Sequence, residues 1–353
     1  MKSAKGVICI VNLPNSISYA EFCSGIGGFR SGISNSIYPS SCVYTNEIDD
    51  KCEQTYYANY GSYFDSKDIF SVNPASLPSF DMLCAGFPCQ SFSIAGARLG
   101  FLDLRGTVIF KLLDIVSHSQ PLIVFLENVP NLMYHEQGSS LAMITQELES
   151  LGYNVSTAIL DSAGFGVPQS RPRLYIVAIR MKASFDAKYS FPIGDEQIQT
   201  VRAILSEGDY SIPISERWQE YIDLYTQRKN IDELSFQPPK TRTHLERVSS
   251  NCNLEDCILQ IRSSGIRAYS LDSPFPTFAV SNSGGGAMIP VLTKERRHIS
   301  LLEIKRLMGF RDDFIFTINR TDSIKQLANA VCPPVIHRIY DSIVEYLRAF
   351  AAQ

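Results

Sequence analysis

One short segment of the chain holds the residue best suited to covalent chemistry. The pentapeptide 86–90 (Gly-Phe-Pro-Cys-Gln) follows an apolar stretch, Phe80 to Ala85, that predicts a buried strand. It opens a polar loop that runs to Gly106. A cysteine at a strand's carboxyl end, next to a proline that fixes φ, lies where open α/β sheets carry out chemistry. Taken alone, Cys89 is better explained as a small buried residue, because free cysteines are mostly buried.

A carboxylate and two arginines stand at the ends of further predicted strands. Glu127, followed by Asn128, ends the apolar stretch Leu122 to Leu126. Arg171 and Arg173 precede the apolar stretch that begins at Leu174. If this segment is extended, the two arginines share one face, because side chains alternate along a strand. The alternative interpretation is a solvated turn.

A glycine-rich turn near the N-terminus predicts a ligand-binding loop. The strand Ile17 to Cys23 ends in a Gly-x-Gly-Gly turn, residues 25–28. Glu47 ends the next strand, 19 residues after Gly28, which is close to the spacing at which an acid holds a ribose diol. The pattern fits a nucleoside cofactor without a pyrophosphate, and a tight turn without a ligand is the alternative.

The intervening elements predict an α/β fold. A strand, a helix, a strand from Cys42 to Glu47 and a helix from Asp50 to Tyr60 indicate a βαβ unit with a parallel sheet, whose third strand ends near Asp68. Residues 191–290 are polar and predict a smaller strand-and-loop domain. We therefore predict a catalytic and cofactor-binding domain at 1–188, completed by 318–353, and a small domain with a hinge at 189–317.

Composition is that of a globular protein, with 353 residues, 45% hydrophobic and 19% charged. The nine cysteines are irregularly spaced and form no zinc set, so we expect reduced thiols, no metal and a cytoplasmic location. No apolar segment approaches the length of a membrane helix. The net charge is −4, yet residues 240–311 hold 11 basic and 6 acidic residues. This basic stretch suggests a face for nucleic acid, with a solvated surface as the alternative.

In chain order these motifs resemble those of the cytosine carbon-5 DNA methyltransferases. Phe22 with the glycine turn is similar to the family's cofactor loop, Pro88-Cys89-Gln90 to its nucleophile motif and Glu127-Asn128-Val129 to its acid motif. Residues 169–173, 306–310 and 326–331 resemble three further motifs. The resemblance covers residues of about 20–180 and 265–335. It does not cover residues of about 190–265, which in this family hold the target recognition region. The sequence departs from the family pattern at Ile48, Arg311 and Ala328.

The resemblance implies a Rossmann-like S-adenosylmethionine-dependent methyltransferase with a small target recognition domain, of the bacterial restriction-modification type. Its implied activity is methyl transfer to carbon 5 of a flipped-out cytosine in a specific double-stranded DNA sequence, through a covalent Cys89 adduct. Glu127 would neutralise ring nitrogen 3, Arg173 would hold the base carbonyl, and Asn128 would orient the acid or the loop. Arg171 completes the implied catalytic set.

The resemblance also implies the binding residues. Those expected at S-adenosylmethionine are Phe22, Gly25, Gly27, Gly28, Phe29, Glu47, Ile48, Asp68, Pro88, Asn329 and Val331. Those expected at DNA are Gln90, Ser93, Arg98, Arg105, Arg242, Arg262, Arg267 and Thr277. We expect a monomer without a membrane partner, acting beside a cognate restriction endonuclease.

Three other functions were compatible with part of the pattern. A cysteine hydrolase would use Cys89 with His118 or His135, but it leaves the glycine loop and Glu47 without a role. A catalytically silent DNA-binding relative conflicts with the presence of every expected catalytic residue. A tRNA-methylating relative would share the same machinery and is permitted by the short recognition region.

Overall fold

The computed structural model describes residues 14–62, 64–88, 107–180, 188–206, 212–249, 252–262, 265–280 and 289–351. The chain divides into two compact units. The first comprises residues 1–161, 172–195 and 330–353, and the second comprises residues 162–171 and 196–329.

The first unit is built on a six-stranded mixed sheet with the order β2-β1-β3-β4-β7-β5. Its strands are β1 (Ile17–Phe22), β2 (Ser40–Asn46), β3 (Met82–Gly86), β4 (Ile123–Asn128), β5 (Tyr153–Asp161) and β7 (Pro172–Arg180). The pairs among β2, β1, β3 and β4 are parallel, as predicted for the first βαβ unit. Strand β7 runs antiparallel to both β4 and β5. The short connection of residues 162–171 explains this, because parallel neighbours need a longer crossover.

The helices of the first unit cover the sheet. They are α1 (Gly28–Ile33), α2 (Asp50–Tyr60), α3 (Val108–Ser119), α4 (Ser139–Ser150) and α9 (Pro333–Ala351). Helix α2 has the predicted bounds because Asp49 caps its N-terminus and Gly61, at a φ of 63°, ends it. The predicted third strand ending near Asp68 is reduced to a single parallel bridge between Asp65 and Asn46. Asp68 instead accepts a hydrogen bond from the Phe70 amide and caps a 3₁₀ turn, Ile69–Ser71.

Strands β3 and β4 lie at the centre of the sheet, where almost every residue is buried. Strands covered on both faces lose the alternation of apolar and polar residues, so they appear in the sequence as continuous apolar runs. The carboxyl ends of these two strands carry the candidate catalytic residues.

The second unit holds another six-stranded sheet, with the order β8-β14-β13-β10-β11-β9. Its strands are β8 (Ile212–Pro213), β9 (Leu245–Arg247), β10 (Cys257–Arg262), β11 (Gly265–Ser270), β13 (Val291–Leu292) and β14 (Arg297–His298). A separate pair joins β6 (Gln169–Ser170) to β12 (Phe275–Pro276). The helices are α5 (Glu216–Tyr225), α6 (Lys240–Thr243), α7 (Leu301–Leu307) and α8 (Arg320–Asn329). Trp218 and Tyr221 of α5 pack with Leu259 of β10 in the core of this unit.

The units differ from the predicted domains at three places: residues 162–171 and 318–329 belong to the second unit, and residues 189–195 belong to the first. Residues 162–171 group with the second unit because β6 pairs with β12, and residues 318–329 do so because α8 packs on α7. None of the helices in the described ranges combines the length and apolar character that crossing a membrane requires.

Candidate active site

The candidate nucleophile follows the central strand β3. In the register of the sheet, Gly86 at the end of β3 lies opposite Glu127 of β4. The described chain continues through Phe87 to Pro88 and resumes at Thr107. Cys89 therefore lies outside the described residues, as do the predicted DNA contacts Gln90, Ser93, Arg98 and Arg105. The prediction that the Cys89 strand neighbours the Glu127 strand is confirmed by the register.

Glu127 forms an ion pair with Arg173 at this edge of the sheet. Arg173 Nε lies 3.1 Å from Glu127 Oε1, and both side chains are largely buried. Strand β7 supplies Arg173 because Asn128 pairs with Leu174 in the antiparallel register, so the arginine lies just beyond the end of β4. A nearly buried carboxylate held by a guanidinium is an oriented group, available for hydrogen bonding to a ligand ring.

Asn128 ties the acid strand to the segment that leads to Cys89. Its side-chain amide nitrogen donates to the Phe87 carbonyl at 2.9 Å, and its Oδ1 accepts from the Val129 amide at 2.8 Å. The side chain is buried. The bond to the Phe87 carbonyl fixes the backbone two residues before Cys89, and the orienting role of Asn128 stays a prediction.

Val331 packs where the glycine turn and strand β3 meet. A Cβ built on Gly28 would lie 2.7 Å from Val331 Cγ2, and one on Gly86 would lie 3.1 Å from Val331 Cγ1 and 3.5 Å from Glu127 Oε2. Both positions therefore need glycine for close packing. The C-terminal segment that begins at residue 330 thus completes the first unit beside the predicted cofactor loop.

Glu47 is fixed by three backbone amides. Its Oε2 accepts from the Gly25 amide at 2.8 Å, and its Oε1 accepts from the Ile48 and Asp49 amides at 2.8 and 3.0 Å. A carboxylate has about four acceptor positions, so roughly one remains for a ligand hydroxyl. The acid that we predicted to hold a ribose therefore also holds the glycine turn.

Tyr60 and Arg30 support the turn from behind. The Tyr60 hydroxyl donates to the Gly27 carbonyl at 2.7 Å, and the Arg30 guanidinium lies 4.6 Å from the centre of the Tyr60 ring. Gly27 has a φ of 80°, and a Cβ there would lie 2.5 Å from the Tyr60 ring. Tyr60 was not among the predicted residues, because an aromatic residue at a helix end gives no signal for a contact with a distant loop.

Two predicted cofactor contacts lie in the hydrophobic core instead of at a surface. Phe22 is fully buried and packs against Tyr44, and Phe29 is buried with its ring edge-on to Phe125. The residue after Phe22, Cys23, is only partly buried and has a φ of 50°. Burial and the charge of Glu47 raise the pKa of the Cys23 thiol to about 12, so it is protonated at neutral pH.

The remaining predicted cofactor residues differ in exposure. Ile48 is 66% exposed next to Glu47. Asp68 uses one carboxylate oxygen to cap its 3₁₀ turn. Pro88 is exposed, and Asn329 is exposed at the end of α8 in the second unit.

Arg171 makes its contacts within the second unit. The side chain is buried, and it donates to the carbonyl oxygens of Phe278 at 3.1 Å and Ala328 at 2.9 Å. These contacts give Arg171 a structural role in holding two backbone segments. Arg173, the other arginine predicted to be catalytic, contacts the candidate acid Glu127.

Glu21 is a buried carboxyl group that was not among the predicted residues. It lies in β1 between Thr45 of β2 and Cys84 of β3, with no exposed surface. Burial raises its pKa to about 8, although the Arg30 guanidinium and the amides at the start of α1 act in the opposite direction. Neither carboxyl oxygen reaches hydrogen-bonding geometry with a partner among the described residues. At neutral pH Glu21 is therefore mainly the uncharged acid.

Four predicted DNA contacts lie in described parts of the second unit. Arg267 is paired with Glu246 at 2.7 Å, and the Thr277 hydroxyl donates to the Ser170 carbonyl at 3.1 Å. Arg242 and Arg262 have no ion-pair partner among the described residues.

Comparisons with known proteins agree with this geometry. The family model described as C-5 cytosine-specific DNA methylase matches residues 17–345. The type II methyltransferase M.NlaX of Neisseria lactamica is 32% identical over 335 residues, which cover 93% of this chain and 96% of that protein. M.HpaII of Haemophilus parainfluenzae, also a type II methyltransferase, is 32% identical over 350 residues, covering 95% and 91%.

The fold has counterparts among solved structures. The Entamoeba histolytica methyltransferase EhMeth superposes with a TM-score of 0.66 at 18% identity, covering 95% of this chain and 99% of that one. This likeness shows the fold, whereas the family model and the type II relatives show the family. The chain therefore belongs to the C-5 cytosine-specific DNA methylases, and its activity is methylation of cytosine in DNA at carbon 5.

Proposed function

We propose that this enzyme transfers the methyl group of S-adenosylmethionine to a flipped-out cytosine of a specific double-stranded DNA sequence, through a covalent bond to Cys89. The observation that carries the proposal is the buried pair of Glu127 and Arg173 beside the strand that leads to Cys89. Asn128, bonded to the Phe87 carbonyl, fixes the approach of the nucleophile's segment to that pair.

The first unit fits a nucleoside sulfonium cofactor at the glycine turn. A Cβ built on Gly25 has no heavy atom within 4 Å, so a ligand can approach this part of the backbone. Glu47 beside it offers a fixed carboxylate, and the exposed Ile48 offers an apolar surface for the adenine. Cys23 is placed better than the buried Phe22 to contact the cofactor. Bound there, S-adenosylmethionine supplies an electrophilic methyl group.

The protein residues make carbon 5 of cytosine reactive. The Cys89 thiolate adds to carbon 6, so that the ring becomes an enamine with negative charge developing at nitrogen 3. Glu127 in its acid form donates to nitrogen 3, while Arg173 lies close enough to Glu127 to bind the adjacent carbonyl oxygen. After the methyl group has been transferred, loss of the carbon-5 proton lets the Cys89 sulfur leave.

The second unit is assigned to target recognition in this proposal. It contains the basic stretch 240–311, and its sheet presents strands and turns that are separate from the catalytic residues. Phosphate contacts set the register of the protein on DNA, whereas contacts to base edges supply sequence choice. Because the relatives are type II methyltransferases, we also expect a cognate restriction endonuclease for the same DNA sequence.

Covalent trapping tests the chemistry directly. Duplex DNA in which 5-fluorocytosine replaces cytosine should retain the enzyme as a denaturation-resistant complex in the presence of S-adenosylmethionine, because fluorine cannot leave as a proton does. Peptide mapping of the complex should place the nucleotide on Cys89, and Cys89→Ser should abolish trapping.

Cys42→Ser is the matched control. Cys42 lies in β2, with its sulfur 3.2 Å from Thr45 Oγ1, and a serine hydroxyl can replace that contact. The control should trap as the parent enzyme does. Trapping that persists in Cys89→Ser would show that another group is the nucleophile.

A further inference from the structure

Carboxylates neutralise many of the basic side chains of the second unit. In the described parts of this unit, ion pairs to aspartate or glutamate are formed by Arg202, Arg228, Lys229, Arg267, Arg296, Arg297, Arg306, Arg311 and Lys325. The net charge of the basic stretch therefore overstates the positive charge that is available to a partner.

A few basic residues without such a pair lie together at one end of the sheet. Lys240 and Arg242 belong to α6, and Arg262 ends β10, opposite Gly265 of β11. The backbone at Gly265 lies against α6, since a Cβ there would be 3.2 Å from the Thr241 and His244 carbonyl oxygens. We call Lys240, Arg242 and Arg262 the α6 surface. None of them has an ion pair within the ranges that the structure describes.

The two arginines of this surface are partly buried and held on a firm support. The Tyr225 hydroxyl donates to the Arg242 carbonyl at 2.6 Å, which attaches α6 to α5. Arg242 Nη1 and Arg262 Nε are each buried without a hydrogen-bond acceptor among the described residues. A ligand would instead contact the other nitrogens of these partly exposed guanidinium groups, which are less hydrated than those of a fully exposed arginine and therefore gain more from an acceptor.

Arg267 is an arginine of the same unit that, unlike Arg242 and Arg262, forms an ion pair among the described residues. It lies in β11, and its Nε is 2.7 Å from Glu246 Oε2 in the neighbouring strand β9. This pair occupies its guanidinium with a carboxylate of the same unit. Arg267 is therefore the natural comparison for an arginine from the same sheet that is already satisfied within the protein.

Building on the proposed function, we propose that the α6 surface binds DNA, with Arg242 and Arg262 contacting base edges and Lys240 contacting a phosphate. A partly buried guanidinium has few rotamers, and two fixed donors match the paired acceptors on the edge of guanine. Lys240 is exposed, and a flexible ammonium suits a phosphate, which needs charge but little orientation. Arg267 takes no part in sequence choice.

Binding selection with the full-length enzyme tests this assignment. The parent and the variants R242A, R262A, R267A and K240A are each used to select duplexes from a randomised library, and the bound DNA is sequenced. R242A and R262A should each lose roughly 5- to 150-fold preference at one base position. R267A should keep the parent's preference. K240A should keep it too, while weakening binding to all sequences and reducing the slope of log affinity against log salt by about one.

Other results would overturn the proposal. It fails if R242A and R262A select the same sequences as the parent, if they only weaken binding uniformly, or if R267A relaxes the preference as much as they do. Circular dichroism of each variant shows whether the second unit is still folded. Bisulfite sequencing of the same library after incubation with enzyme and S-adenosylmethionine measures cytosine methylation separately from binding. Failure of the proposed methyl transfer is therefore distinguishable from failure of the binding surface.

Discussion

The buried acid Glu21 gives the enzyme a pH-dependent stability that a single substitution should remove. In Glu21→Gln the side chain keeps nearly the same shape but can no longer ionise. The carboxyl group is fully buried in β1 and has no hydrogen-bonding partner among the described residues, so the substitution removes its ionisation without breaking a described hydrogen bond.

The size of the effect follows from the shift in pKa. Burial raises the pKa of Glu21 from 4.5 to about 8. Below pH 4.5 the group is protonated in both states and has no effect. Between pH 4.5 and 8 the unfolded chain releases the proton while the folded chain keeps it, so the free energy of unfolding falls as pH rises. The full loss is roughly 5 kcal/mol at about 1.4 kcal/mol per pKa unit, and roughly 2–3 kcal/mol of it falls between pH 6 and 8.5.

Urea denaturation at several pH values between 6 and 8.5 measures this loss. Any other group that titrates over this range does so in both proteins, so the difference between parent and Glu21→Gln isolates Glu21. The parent should lose the stated free energy relative to the variant as pH rises. Glu149→Gln, on the exposed face of α4, is the control and should follow the parent. If parent and Glu21→Gln change in parallel, Glu21 does not keep its proton in the folded enzyme.

Two further substitutions test the support of the predicted cofactor loop. Tyr60→Phe removes the 2.7 Å hydrogen bond to the Gly27 carbonyl, so KM for S-adenosylmethionine should rise by about 2- to 12-fold with kcat little changed. Tyr57→Phe, on the same helix with a 44% exposed side chain, should leave KM unchanged, and an equal effect of both variants would contradict the positioning role. Glu47→Ala removes the acceptor of three backbone amides and the proposed ribose contact, so calorimetry should show roughly 10- to 100-fold weaker binding of S-adenosylmethionine. Glu53→Ala on α2 is the control and should bind S-adenosylmethionine as the parent does. If Glu47→Ala also keeps the parent's affinity, the cofactor binds elsewhere.

Local chemistry in the sequence was enough to predict several elements. Helix α2 has its predicted bounds because Asp49 and Gly61 are a side-chain cap and a left-handed terminator. Ser300 and Glu303 form a capping box at the start of α7, which is likewise a pattern within one turn. These features depend on residues within one turn of each other, so no knowledge of distant contacts was needed.

The cofactor loop shows where such local inference ends. Strand β1 is buried on both faces, so its sequence lacks the alternation that would tell which side chains point to the core. Phe22 was expected at the cofactor, yet it lies in the core and its neighbour Cys23 stands at the strand end. Likewise, Tyr60 contacts Gly27 only because α2 returns to the turn that precedes α1.

The arginines show most clearly what the sequence could not supply. Arg171 and Arg173 are two positions apart, yet one is used by the Phe278 and Ala328 carbonyls and the other by Glu127. Net charge has the same weakness, since a sum over residues 240–311 counts a paired arginine and an unpaired one alike. The availability of a guanidinium depends on whether the fold places a carboxylate or carbonyl beside it, and that is decided by strand pairing. Hence Arg267, opposite Glu246, is satisfied within the protein, whereas the Arg242 and Arg262 side chains have no acceptor among the described residues.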